Sequence, residues 1–245
     1  MTGPSGPRPR RPLRAMLFDA GNTLVRIKYA AIAGELRRRG HLVDAATVEE
    51  AEIGARVRLD PHLMPGASTE SAGTHDRYLR YLLEPLGITD EEEIADLARW
   101  RRAYNQPLGL WTEPETGASD ALRAVKAAGL VAGVISNSNG MIRSILTDAG
   151  LVGHLDVVID SGVVGVEKPD PRIFALALGE AGVAAEEALY VGDLYSVDVL
   201  GARRAGLEAI LLDPRGLWGP RDCLRAASLA AAVALALSLP RAAPG

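Results

Sequence analysis

Lysine is nearly absent from this chain. Only Lys28, Lys126 and Lys168 occur among 27 basic residues, so arginine carries almost all the positive charge and each lysine stands out. Cysteine is scarcer still: the single Cys223 excludes an intrachain disulfide. No basic stripe is present, and a formal net charge of -4 argues against a general nucleic-acid binder. Met1 to Leu13 is rich in proline and arginine and has no apolar centre, so no signal peptide is expected there. The expectation for 1–13 is a disordered arm. No apolar run is long enough to span a bilayer. Ala226 to Leu239 comes nearest, apolar apart from two serines, and reads as a buried helix. These absences lead to an expected cytoplasmic location with neither nucleic acid nor membrane as partner. What remains is an ordinary globular composition, 48% hydrophobic and 24% charged over 245 residues, enough for one large domain or a domain with an insertion.

The first strong signal is Met16-Leu17-Phe18-Asp19-Ala20-Gly21-Asn22-Thr23-Leu24. An apolar run ends in a carboxylate and then breaks at a Gly-Asn turn, which predicts a buried strand with Asp19 at its carboxyl end. From about Tyr29 to Tyr104 the pattern is helical. Helices are expected over Ala30 to Arg39, Thr47 to Leu59, His75 to Leu83 and Asp90 to Tyr104. Thr47 with Glu50 reads as a capping box and Asp90 as an N-cap. Pro61 to Gly73 reads as a loop, and His62 to Gly73 is the segment expected to close over the site. From Glu115 onward strands alternate with helices: Val131 to Ile135, Val157 to Ile159, Ala188 to Val191 and Ala209 to Leu212 are the strands. That alternation predicts an α/β fold with a Rossmann-like parallel sheet, helices on both faces and right-handed crossovers. The expected division is a core of 14–27 and 108–245 and an all-helical insertion of 28–107.

Chemically distinctive groups fall at the predicted strand ends: Asp19 and Thr23 at the first, Ser136 and Asn137 at the second, Asp193 and Asp198 at a later one. Lys168 lies in the loop Val166-Glu167-Lys168-Pro169-Asp170-Pro171. Singly, each has an ordinary explanation as a turn cap, a helix start or a solvated charge. Parallel strands end on one edge, however, so these groups are expected to converge there.

Four pieces, in order and spacing, resemble the haloacid dehalogenase superfamily, mostly phosphatases with an aspartate nucleophile. They are Phe18-Asp19-Ala20-Gly21-Asn22-Thr23-Leu24, Val134-Ile135-Ser136-Asn137, Lys168-Pro169, and Val191-Gly192-Asp193-Leu194-Tyr195-Ser196-Val197-Asp198, the last followed by Gly201-Ala202 and Ala205-Gly206. The helical block resembles that family's cap. The resemblance implies Asp19 as nucleophile, forming an aspartyl-phosphate. It also implies catalytic or substrate-binding roles for Thr23, Ser136, Asn137 and Lys168, and a magnesium site of Asp19, the Gly21 carbonyl, Asp193 and Asp198. The physics agrees. Two unit charges about 4 Å apart repel by roughly 4 kcal/mol at an effective dielectric near 20, so a phosphoryl group approaching Asp19 needs cations beside it. Asp193 offers an oxygen ligand suited to magnesium, with Asp198 a second ligand or a group holding one. Lys168 offers a compact point charge. Backbone N–H groups after Ser136 can hold phosphate oxygens.

One position departs from the family pattern. The second residue after the nucleophile is usually an aspartate that protonates the leaving group and later activates water, and here it is Gly21. General acid–base help is typically worth about 10²–10⁴-fold. The expectation is therefore a slow or leaving-group-restricted phosphatase of a small phosphorylated metabolite, or one in which a cap residue such as His62, His75 or Asp76 substitutes. The alternatives are a 2-haloacid dehalogenase-like hydrolase, a phosphonoacetaldehyde hydrolase-like enzyme, which needs a cap lysine where only Lys28 stands near, at the base of the cap, and a phosphate-binding protein without turnover. An unneutralised Asp193 argues against dehalogenation. Trp100, Trp111 and Trp218 read as packing residues. The assembly is expected to be a monomer or homodimer.

Overall fold

The computed structural model describes residues 11–63, 67–106 and 108–240. Most of the expected arm, 1–13, lies outside the described residues, as does part of the expected loop 61–73. Of the arm, Leu13 is described and packs on the core. In chain order the elements are strands β1 (Ala15–Phe18) and β2 (Val25–Ile27); helices α1 (Tyr29–Arg38), α2 (Ala45–Leu59), α3 (Ala72–Leu83) and α4 (Glu91–Tyr104); then β3 (Trp111–Pro114), α5 (Ala118–Ala127), β4 (Val131–Ser136), α6 (Ile142–Asp148), β5 (Val157–Asp160), α7 (Ser161–Val164), α8 (Pro171–Ala181), β6 (Ala188–Gly192), α9 (Leu200–Arg204), β7 (Glu208–Leu212), β8 (Leu224–Ala226) and α10 (Leu229–Ser238). Among the described residues, no helix is long and apolar enough to cross a membrane.

Six strands form one parallel sheet in the order β5-β4-β1-β6-β7-β8. Successive side chains of a strand point to opposite faces, and a sheet covered on both faces needs apolar residues on each. β1 meets that need. Met16 and Phe18 share a core with α5, α6 and α10, while Ala15 and Leu17 share another with α8 and α9. Full burial of such side chains contributes roughly 1.5–3 kcal/mol each. β1 sits between β4 and β6, where the winding changes direction. That is the crevice in which open α/β sheets bind ligands.

Helices α1 to α4 pack around a core of their own that includes Ile32, Leu36, Leu59, Leu82 and Leu97. Their starts differ from the expected ones. α2 is capped by Asp44, whose carboxylate accepts from the Thr47 N–H at 2.8 Å and the Thr47 hydroxyl at 2.7 Å. Asp is the stronger cap, so the helix begins before Thr47. Glu50 completes no capping box and instead pairs with Arg215 at 2.5 Å. α3 begins at Ala72 because Ser71 caps it. Asp90 caps α4 as expected, accepting from the Glu93 N–H at 2.9 Å. The antiparallel pair β2–β3 flanks the helical segment and was not anticipated; strands of three and four residues are too short to show periodicity.

The helical segment is tied to the sheet through a buried polar contact. Asp60, just after α2, accepts from the Ser196 N–H at 2.8 Å and the Ser196 hydroxyl at 2.7 Å. Removing the acceptor strands a buried N–H at a cost of about 1–3 kcal/mol. Asp60→Ala should lower unfolding stability by that amount in urea titrations, and Asp60→Asn should lose less. Equal stability of Asp60→Ala and wild type would show that the contact contributes nothing.

Candidate active site

Asp19 follows the last residue of β1, and its N–H donates to the Val191 carbonyl at 2.8 Å, so the ladder with β6 carries the carboxylate to the sheet edge. The turn that follows needs a left-handed residue, and Asn22 supplies it at φ 52°. Asp193 follows β6. Asp198 lies one turn further on in a short π-helical stretch, Tyr195–Val199. Carboxylate oxygens of Asp19, Asp193 and Asp198 lie within 4.8 Å of one another, and all three residues are buried.

Lys168 stands among them. Its ammonium donates to Asp19 Oδ1, to Asp198 Oδ1 at 2.8 Å and to the Tyr190 hydroxyl at 2.9 Å. Tyr190 in turn donates to Asp198 Oδ1 at 3.1 Å. The other oxygen of Asp198 accepts the backbone N–H groups of Asp193 (3.1 Å) and Leu194 (2.9 Å). Both oxygens of Asp198 are thus occupied, which makes it the group that orients Lys168 and the β6 turn. Gly192 is required beside it, because a Cβ there would overlap the Asp198 carboxylate. Asn137 acts on Lys168 from behind. Its Oδ1 accepts the Lys168 N–H at 2.7 Å and its Nδ2 donates to the Lys168 carbonyl at 2.9 Å. Nδ2 also reaches Thr69 of the helical segment at 3.0 Å.

A second cation, Arg56 of α2, enters from the helical side. Its Nη1 donates to Asp193 Oδ2 at 2.8 Å, and its Nε lies 2.9 Å from Glu52, which is itself buried and receives the hydroxyls of Tyr78 (2.6 Å) and Tyr29 (3.1 Å). Asn22 Nδ2 lies 3.4 Å from Glu52 and 3.5 Å from Asp193. Four buried carboxylates therefore share two cations, Lys168 and Arg56. Burial pushes the Asp19 carboxyl up to about 8, with Lys168 pulling it down and Asp198 and Asp193 pushing it further up. Burial likewise raises Asp193 to about 6, against the pull of Arg56. Burial disfavours the charged form of Lys168, but Asp19 and Asp198 outweigh it and hold the ammonium charged. A divalent cation fits this donor set: the oxygens are hard, anionic charge is in excess, and the second oxygens of Asp19 and Asp193 remain for it.

The site opens into a cavity of about 600 Å³ whose wall includes Asp19, Gly21, Ser136, Asn137 and Lys168 on the sheet side and Glu70, His75, Arg101 and Trp111 on the other. The structure thus brings together Asp19, Gly21, Ser136, Asn137, Lys168, Asp193 and Asp198. Thr23 stands apart: it is buried, its hydroxyl has no partner, and it does not line the cavity. Trp111 packs beside Gly21 on the cavity wall, where a Cβ on Gly21 would lie 3.4 Å from its indole Cδ1. The space beside Gly21 therefore faces an indole edge. Of the expected cap candidates, His75 reaches the cavity, but burial first and then Arg101 push it down to about 4. His62 instead bonds Tyr81 at 2.9 Å at the surface, and Asp76 is absent from the wall. Lys28 also lies off the wall, at the start of α1. Arg56, Glu52 and Arg101 left no usable signal in the sequence, being polar residues within helical patterns. Tyr190 had one: a hydroxyl in an otherwise apolar buried strand, which needs a partner.

The chain has recognisable relatives among known proteins. The family model for haloacid dehalogenase-like hydrolases matches residues 13–206, so the chain belongs to that family and is a hydrolase of its kind. It is 30% identical over 211 residues to haloacid dehalogenase-like hydrolase domain-containing protein 3 of Mus musculus, covering 83% of each chain. It is 41% identical over 145 residues to a phosphoserine phosphatase of Thermus thermophilus, covering 58% of this chain and 55% of that one. Its fold is similar to that of an L-2-haloacid dehalogenase of Xanthobacter autotrophicus, with a TM-score of 0.59 at 21% identity, over 93% of this chain and 99% of that one.

The charge excess has a measurable consequence. Between the ordinary Asp value of 3.8 and about 8, folded protein keeps a proton on Asp19 that the unfolded chain has released. Stability then falls as pH rises through that window. In chelator, the melting temperature should decline from about pH 5 to about pH 8, and Asp19→Asn should flatten the decline. An equally steep decline in Asp19→Asn would contradict the assignment.

Proposed function

We propose that the protein is a magnesium-dependent phosphatase of a small phosphorylated metabolite, with Asp19 as nucleophile. The observation that carries this reading is the gathering of Asp19, Asp193 and Asp198 around Lys168 at the sheet edge, open to a cavity of metabolite size. An Asp19 oxygen attacks phosphorus, and the bond to the leaving alcohol breaks. Water then attacks the phosphorus of the aspartyl-phosphate, the bond to Asp19 breaks, and the carboxylate and inorganic phosphate separate. Lys168 holds Asp19 in place and offsets charge on the phosphoryl oxygens. Ser136 lies on the wall at the end of β4 and offers a donor to the same oxygens. Asp19, Asp193 and the Gly21 carbonyl would hold magnesium, which when bound supplies the positive charge the carboxylates lack. The helices α1 to α4 act as the cap.

The leaving-group proton has no source at Gly21. His75 is neutral near pH 7 and cannot donate. Glu70 lines the cavity as an exposed residue, where partial desolvation by the surrounding chain and then the charge of Glu167 push its carboxyl up to about 7, which suits an acid. Glu70→Gln should slow hydrolysis of alkyl phosphates by about 10²-fold or more while sparing aryl phosphates, whose leaving groups need no proton. Equal rates for both substrate classes in this variant would remove Glu70 from the mechanism.

Arg56 also supports a second reading. It neutralises Asp193 without metal, which weakens the electrostatic objection to a metal-free hydrolase such as a dehalogenase. The deciding assay measures phosphate release from an aryl phosphate, and halide release from a 2-haloacid, with and without magnesium. The phosphatase reading expects magnesium-dependent phosphate release, abolished in Asp19→Asn. Halide release in chelator, without phosphate release, would reverse it.

A further inference from the structure

The strongest unexplained feature of the molecule is Arg101 of α4. It is only 4% exposed, and its Nε and Nη1 are buried without a hydrogen-bond partner. No carboxylate among the described residues comes within ion-pair distance of it. Asp76, the acid that acts on it most, lies instead 3.6 Å from Arg102. A buried guanidinium without a partner is costly, and chains keep such a charge where a ligand completes it. Arg101 also lines the cavity that holds Asp19 and Lys168, on the wall built by the cap helices. The guanidinium plane matches carboxylate and phosphate oxygens, and its charge does not titrate away.

We infer that Arg101 is the receptor for a second anionic group of the substrate: the true substrate is a phosphate monoester bearing a further oxyanion, a carboxylate or a second phosphate, that reaches the cap wall while its phosphoryl group lies at Asp19. This inference rests on the phosphatase reading for which group is cleaved, but not for the anion subsite itself. Thr74 and Asn105, also on that wall, offer neutral polar atoms around the same group.

The test compares 2-phosphoglycolate and glycerol 1,3-bisphosphate with glycerol 1-phosphate, which lacks the second anion, in the wild-type protein and in Arg101→Met and Arg101→Lys. In the wild type, kcat/KM for one of the two esters with a second anionic group should exceed that for glycerol 1-phosphate by tenfold or more, and whichever ester is preferred tells carboxylate from phosphate. Arg101→Met should collapse that ratio toward one, mainly through KM, with Arg101→Lys between. Arg101→Met should also melt no lower than wild type without ligand, because an unpartnered charge is replaced by an apolar chain. An unchanged ratio in Arg101→Met would overturn the inference, as would a lower melting temperature, which would give Arg101 a structural role. If the wild type hydrolyses none of the three esters, the aryl phosphate assay still decides the phosphatase reading. The subsite is then judged by thermal stabilisation with 2-phosphoglycolate: loss of the shift in Arg101→Met upholds it, and an equal shift refutes it.

Discussion

The structure depends on one ammonium group. Lys168 is buried against Asp19 and Asp198 at the edge of the sheet, with Tyr190 beneath it. Without a cation there, two carboxylates a few ångströms apart would repel by several kcal/mol in a setting that water cannot screen. The surroundings are arranged to hold it. Asn137 fixes the backbone of Lys168 through both its N–H and its carbonyl, and two backbone N–H groups fix Asp198. Strand β1 can then end in a carboxylate that is buried, oriented and still open on one side to the cavity.

Charge also joins the cap to the core. Arg56 reaches from α2 to Asp193 while Glu52, one turn earlier, holds its other side. Together with the Asp60–Ser196 contact, this places buried polar bonds across the junction at two points. Breaking a buried pair by removing one partner typically costs about 3–5 kcal/mol. The contact between the helical segment and the core is therefore coupled to the charge at Asp193. A metal held by Asp193 would offset the same charge that the Arg56 guanidinium offsets now.

The sheet and most of its strand ends were legible from sequence because strands buried on both faces write long apolar runs, and glycines close the helices between them. Asp19, Ser136, Lys168 and Asp193 were legible for the same reason: each interrupts or follows an apolar run at a strand end or in a loop. The left-handed Asn22 was visible as a turn residue. Arg56, Glu52 and Arg101 were not, because a buried charge inside an amphipathic helix has the same local pattern as a solvated one. Only the packing of α2 and α4 against the core reveals which face they present. Thr23 followed the opposite course. It belongs to a recognisable motif, yet the fold turns its hydroxyl inward, away from the cavity. Trp111 could not be matched to Gly21 from sequence, since the two meet only through the pairing of short strands β2 and β3.

The central claim is that the Asp19 carboxylate itself takes the phosphoryl group. Acid-quenching the magnesium-loaded protein during turnover of an aryl phosphate, followed by peptide mass spectrometry, tests it directly. One hydroxylamine-sensitive phosphoryl group is expected, carried on the peptide that contains Asp19. Steady turnover with a phosphoryl group on another residue, or with none trapped at any quench time, would contradict it.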